Sequence, residues 1–239
     1  MDMQQIQYAS LERIRVPRPV DRLAFIEGRV AGKRVFDLGA LDETAYVSKQ
    51  NQGNWLHARL CGRADSVLGI DNSVLIPADG LETVYGGKII RADIYDLAPV
   101  IDVHGCPEMI VAGELIEHLS DTFAFLRSLK ENPRLRGVEL VFSTPNACCW
   151  HNGLVGLLGC ESMHVDHLQI YSYKTLRTLF DRADIQLEAL VPWHVRFYEM
   201  LEDSKGMKWA TIRAFQGVVN TLEWCSPLLS AGWIGVARL

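Results

Sequence analysis

The chain has 239 residues, 49% of them hydrophobic and 22% charged, with a formal net charge of −5. This length can bury a sizeable core in one α/β domain, and the acidic balance argues against a nucleic-acid partner, which needs clustered Lys and Arg. The six cysteines form no C-x-x-C pair and read as reduced thiols of a cytoplasmic protein.

The N-terminal stretch has no apolar core of the kind a secretory signal needs. The apolar stretch from Trp224 is broken by Pro227 and is too short and turn-rich to span a bilayer, so no membrane partner is expected. Asp21–Val30 is expected as a helix over a sheet edge. Arg34–Leu38 reads as a short buried strand followed at once by Gly39, and a helix is expected to begin near Trp55. Further strands are expected at Ser66–Asp71, Lys88–Ala92, Glu108–Gly113, Val138–Thr144, Ile185–Pro192 and Trp233–Leu239. Between them, "DTFAFLRSLKE" carries helical spacing that turns Phe123, Leu126 and Leu129 to the sheet. "SYKTLRTLFDRAD" begins with Ser172 as N-cap and presents Leu176, Leu179 and Phe180 on one side. Apolar runs alternating with helical patterns predict an α/β fold, a mostly parallel sheet with helices on both faces. The whole of 1–239 reads as a single domain. Two segments break the alternation, Ala147–Gln169 and Phe197–Ser226. Both read as caps over the ligand crevice, and the second alternatively as extra core or the surface of a homodimer.

The chemistry begins with acids at strand ends. Asp37 closes the first strand, Asp71 the second, and Asp93 follows the third. A carboxylate after the second strand of such a sheet is placed to accept both hydroxyls of an adenosine ribose. In "ELIEHL", Glu114, Glu117 and His118 fall at i, i+3 and i+4 and share one side if the strand turns directly into helix. Two carboxylates and an imidazole suit Mg²⁺, Mn²⁺ or Zn²⁺. Cys148 and Cys149 have no nearby orienting His and read as packing at the mouth of the sheet, and His151 and His194 as surface or structural.

"RVFDLGA", "VLGIDNS", "IIRADIYDL", "MIVAGELIEHLSD", "VELVFSTPNA" and "DHLQIYSYKTLRTLFDRADIQLEAL", in this order and spacing, resemble the class I S-adenosylmethionine-dependent methyltransferases over nearly the whole chain. The resemblance implies a Rossmann-like seven-stranded sheet with a reversed C-terminal strand. It implies a cofactor, S-adenosylmethionine, with Asp37, Gly39 and Ala40 beside its methionine end and Asp71 on its ribose. Asn72 and Ser73 would lie near the adenine, Asp93 and Ile94 would bracket it, and Gly113, Glu114 and Leu115 would cross under the sulfonium. Leu41 and Glu43 stand where the family has glycines. Either the loop is rebuilt around "NQGNWLH", as in a similar subgroup whose first loop runs into Trp-Leu-His, or the chain no longer binds the cofactor. His57 would face the cofactor or the helix surface.

By resemblance to small-RNA 2′-O-methyltransferases, His167 falls where a fourth metal ligand sits beside Glu114, Glu117 and His118, with His164 as the alternative. Without a metal, Glu117, His118 and His167 remain the catalytic candidates, a histidine serving as general base. The activity implied is in-line methyl transfer to an oxygen or nitrogen of a small molecule. A sugar or natural-product intermediate is favoured by Trp150, Tyr171, Trp193, Tyr198 and Trp209. The competing reading is a non-catalytic Rossmann-like module for binding or dimerisation. An NAD(P)-dependent oxidoreductase is disfavoured because its glycine fingerprint is missing.

Overall fold

The computed structural model describes residues 13–41, 46, 49–50 and 53–239. Its sheet is built from β1 (Arg34–Leu38), β2 (Ser66–Asp71), β3 (Leu81–Glu82), β4 (Lys88–Arg91), β5 (Met109–Gly113), β6 (Glu139–Pro145), β7 (Gln186–Trp193) and β8 (Gly232–Arg238). The spatial order is β3-β4-β2-β1-β5-β6-β8-β7. The strands β4, β2, β1, β5 and β6 pair in parallel. β8 runs antiparallel to both β6 and β7. This is the Rossmann-like sheet with the reversed C-terminal strand. Among the described residues it has eight strands rather than seven, because the two-residue β3 adds an antiparallel edge to β4.

Alternating side chains send the central strands' apolar residues to both faces. Phe36, Ile110 and Ala112 join Phe125, Leu126, Leu129, Leu176 and Phe180 in the core under α4 (Thr122–Glu131) and α6 (Tyr173–Arg182). Val35, Met109 and Val111 join Ile26, Val30 and Leu60 on the other face, under α1 (Arg22–Val30) and α2 (Leu56–Cys61). The inward position expected for Phe123 belongs to Phe125 instead. Phe123 is 44% exposed, whereas Phe125 is fully buried. Asp21 caps α1 through the Ala24 amide, and Ser172 and Thr175 form a reciprocal capping box on α6. α3 (Ala98–His104) covers the same face as α4, packing Val100 and Ile101 into its core.

The segment 147–169 contains α5 (Trp150–Leu157), and 197–226 contains α7 (Tyr198–Glu202) and the 20-residue α8 (Gly206–Cys225). Among the described residues no helix is long and apolar enough to cross a membrane.

Candidate active site

A cavity of about 740 Å³ opens beyond the C-terminal ends of the parallel strands, where such sheets bind ligands. Asp37, Gly39, Ala40, Asp71, Asn72, Asp93, Ile94, Gly113, Glu114 and Leu115 all line it, with His118 and His167 at its far side. Of the expected cofactor contacts only Ser73 stays off the wall. It is buried, with its amide donating to Asp71 Oδ1 at 2.9 Å.

The glycine-poor turn resolves at Leu41; Glu43 lies outside the described residues. Gly39 turns the chain with φ +70°, and a Cβ there would lie 2.9 Å from Leu115 Cδ1, so glycine is required twice over. Leu41 is buried in a small apolar cluster with Ala40, Trp55, Ile76 and Ile89. Its amide donates to Asp71 Oδ2 at 3.0 Å, so the backbone braces the second strand's acid while the side chain packs with that cluster. Trp55 Nε1 donates to the Ala40 carbonyl at 3.2 Å. Asn54, Trp55, Leu56 and His57 all line the cavity, so the Trp-Leu-His stretch folds back as part of its wall. Leu56 lies over Gly113, where a Cβ would come within 2.3 Å of its methyl group.

His57 is buried rather than on a helix surface, and its Nδ1 sits 2.9 Å from Asp37 Oδ2. Burial works against its charged form. Hydrogen bonding and charge attraction from Asp37 and Cys61 outweigh that cost and push it up from 6.5 to about 9.

At the other end, Glu114 adopts φ +53° and a 3₁₀ turn covers only Ile116–His118, so the helix that would align Glu114, Glu117 and His118 does not form. Glu117 is completely buried and off the cavity wall, and neither carboxyl oxygen makes a hydrogen bond of ordinary geometry. Desolvation first, and then the Glu114 charge, push its carboxyl from 4.5 to about 9, against a weaker pull from the nearby Thr144 hydroxyl. Its backbone carbonyl accepts the amides of Leu168 and Gln169, which ties the 147–169 segment down at this point.

That segment brings His164, Asp166 and His167 to the cavity. The ligand atoms of His118, His164 and His167 lie within 4.8 Å of one another. His167 is pushed below its usual range by burial and by its two histidine neighbours, and its Nδ1 is buried without a hydrogen-bond partner. The three imidazoles are the grouping of metal-ligand type found among the described residues. The expected set of Glu114, Glu117, His118 and His167 is therefore altered: Glu117 is withdrawn and His164 is present.

Arg22 is one of the wall residues that sequence reasoning missed, with Lys49, Tyr95, Leu119 and Asp166. Arg22 comes from α1, donates to Ser143 Oγ at 3.2 Å, lies 3.9 Å from Glu114 Oε1 and stacks its guanidinium over Trp193. No motif marks it; only its position in an amphipathic helix entering the sheet could have drawn attention. The aromatic set expected to hold an acceptor is dispersed. Trp150 lines a second cavity with Cys148, Cys149, Leu154, Leu157 and Leu222. The Tyr171 hydroxyl is bound to Thr122 at 2.8 Å. No residue of 197–226 lines the first cavity among the described residues.

No protein-family model matches the sequence, and no curated protein matches it. Solved structures do match by fold. The small RNA methyltransferase HEN1 is 13% identical with a TM-score of 0.55, covering 97% of this chain and 27% of that one. The magnesium protoporphyrin IX methyltransferase ChlM from Synechocystis PCC 6803, with bound SAH, is 12% identical with a TM-score of 0.52, covering 90% and 79%. The [4+2]-cyclase SpnF is 14% identical with a TM-score of 0.50, covering 91% and 80%. The fold is the Rossmann-like fold of S-adenosylmethionine-dependent methyltransferases, and a cyclase shares it.

Proposed function

We propose that the protein is an S-adenosylmethionine-dependent methyltransferase acting on an oxygen or nitrogen of a small molecule. The observation that carries this reading is the single cavity whose wall joins Asp37, Gly39, Asp71, Asp93 and Gly113 to a group of three histidines. Asp71, braced through the amides of Leu41 and Ser73, presents its carboxylate at the cavity wall for ribose hydroxyls. Asp93, whose Oδ1 accepts the Tyr95 amide at 2.8 Å, stands with Ile94 on the adenine side. Bound there, the cofactor supplies an electrophilic methyl group. The chain's contribution is alignment of the acceptor, with His167 or His118 taking its proton. His167, held toward its neutral form, is the better placed to accept one. The cavity volume falls within the roughly 300–1,000 Å³ of small-molecule sites, and the net charge of −5 disfavours a nucleic-acid acceptor. A sugar or natural-product intermediate remains the acceptor class to try first.

A metal-assisted form of the same reaction is favoured by one specific observation, the orphaned Nδ1 of His167 within the histidine group. His118, His164 and His167 would hold the ion, with Glu114 at the same wall; a divalent ion would lower the pKa of an acceptor hydroxyl. Calorimetric titration with S-adenosylhomocysteine, with and without Mn²⁺ or EDTA, tests both parts. Binding in the micromolar range is expected, and Asp71→Ala should weaken it at least tenfold. No heat up to millimolar ligand would leave the non-catalytic module as the better reading.

A further inference from the structure

At the cavity wall and behind it, Asp37, His57 and Cys61 form a group of which the proposed methyl transfer uses only Asp37. His57 presents Nδ1 to Asp37 and turns Nε2 to the other side, where it is buried without a hydrogen-bond partner of ordinary geometry. The ring is housed by two glycines. A Cβ at Gly69 would lie 3.0 Å from His57 Cε1, and one at Gly87 would lie 2.8 Å from His57 Nε2 and 2.5 Å from Cys61 Sγ. Neither glycine has a positive φ, so backbone conformation does not demand them. The imidazole and the thiol together fill the space that a side chain at position 87 would take. Asp37 on β1 and Cys61 on α2 are the titratable groups facing the ring, and the Trp55 ring, with its centroid 5.2 Å away, closes another side. Cys61 itself is half-buried, within reach of a small solute.

We propose that Cys61 is a modification site, a thiol activated by the Asp37–His57 pair and oxidised by hydroperoxides, whose state is transmitted to the cavity through Asp37. An acid that orients one imidazole nitrogen leaves the other to take the proton of a neighbouring nucleophile. Here that nucleophile is sulfur, and an adjacent imidazolium favours its reactive anionic form. The sulfur attacks one oxygen of hydrogen peroxide, an S–O bond forms and the O–O bond breaks. The departing hydroxide takes the proton held by His57 and leaves as water, so sulfur loses two electrons and the peroxide gains them. With that space already filled, the added oxygen of the sulfenic acid displaces His57, and with it Asp37 on the cavity wall. The transmission part rests on the proposed cofactor reading; the reactivity part does not.

The test uses the full, freshly reduced chain. Limited iodoacetamide at pH 7 followed by peptide mass spectrometry ranks the six cysteines. Cys61 should be alkylated at least tenfold faster than the more exposed Cys148, Cys160 and Cys225. A Cys61 rate no greater than theirs overturns the proposal in the unmodified protein, before any variant is made. His57→Gln should remove the advantage. Peroxide alone should weaken S-adenosylhomocysteine binding at least fivefold, reversibly with dithiothreitol and not in Cys61→Ser, and a dimedone trap on a separate portion should label Cys61. Labelling with unchanged affinity overturns the transmission. If the untreated chain binds no S-adenosylhomocysteine, the cofactor reading falls while the rank of Cys61 still decides its reactivity.

Discussion

Leu41 occupies a position where a glycine would be expected to let backbone approach a ligand, and its amide does the bracing while its side chain packs with Trp55 and Ile76. Restoring glycine should therefore harm the site. Leu41→Gly removes a buried side chain and frees the backbone, at a cost of about 2–4 kcal/mol in urea unfolding, and on the proposed cofactor reading it should weaken S-adenosylhomocysteine binding because the amide that braces Asp71 is held less firmly. Glu117 gives a pH signature. Its folded carboxyl titrates near 9 rather than 4.5, so over that window the folded state holds a proton that the unfolded chain has released. Stability should decline as pH rises through the window, and below it the penalty is absent. Glu117→Gln removes the slope: the variant's Tm should match the wild type near pH 5 and exceed it near pH 8.5. Equal Tm values at both pH would show that Glu117 is not held protonated. Among single residues, the strand-end acids were legible because strand exits have a fixed place in a parallel sheet. Arg22, His57 and Leu41 were not, because their orientation depends on contacts far away in sequence.

At the scale of elements, β1 and β2 coincide with the expected strands because doubly covered strands are unbroken apolar runs. β3, with two residues, carries no such run. The E-x-x-E-H spacing suggested a helix, but Glu114 enters the left-handed region as its amide bonds to Ser143, and the turn that follows is 3₁₀. Periodicity registers separation along the chain and cannot sense that cross-strand bond. The pairing of β6 with β8 depends on a different local fit. A Cβ at Gly235 would lie 2.0 Å from Phe142, whose ring stacks on Phe180 with centroids 4.8 Å apart. Gly235→Ala should cost about 3 kcal/mol or more by overpacking a strand hydrogen-bonded on both sides. Denaturant unfolding checks this, and a loss under 1 kcal/mol would mean that the Phe142 ring can move aside.

Across the whole molecule, the acids and glycines sit on one half of the sheet's C-terminal edge, His118 follows β5, and His164 and His167 arrive from a segment inserted after β6. The shared fold therefore supplies one half of the cavity wall, and the inserted segment supplies part of the other. The same topology imposes an order of assembly. β7 pairs with β8, which lies between it and β6, and Val20 adds only an isolated bridge to β7 at Trp193. During synthesis β7 leaves the ribosome before the strand that joins it to the sheet, with α8 still to come. Until Gly232–Arg238 emerges, β6 has an unfilled edge and β7 has no ladder partner. The parallel half, with the acids and His57, can form first, and the β6–β8–β7 half must wait for the last strand to insert between two others. Refolding should show a fast phase in the first half and a slower one that ends only when β8 docks.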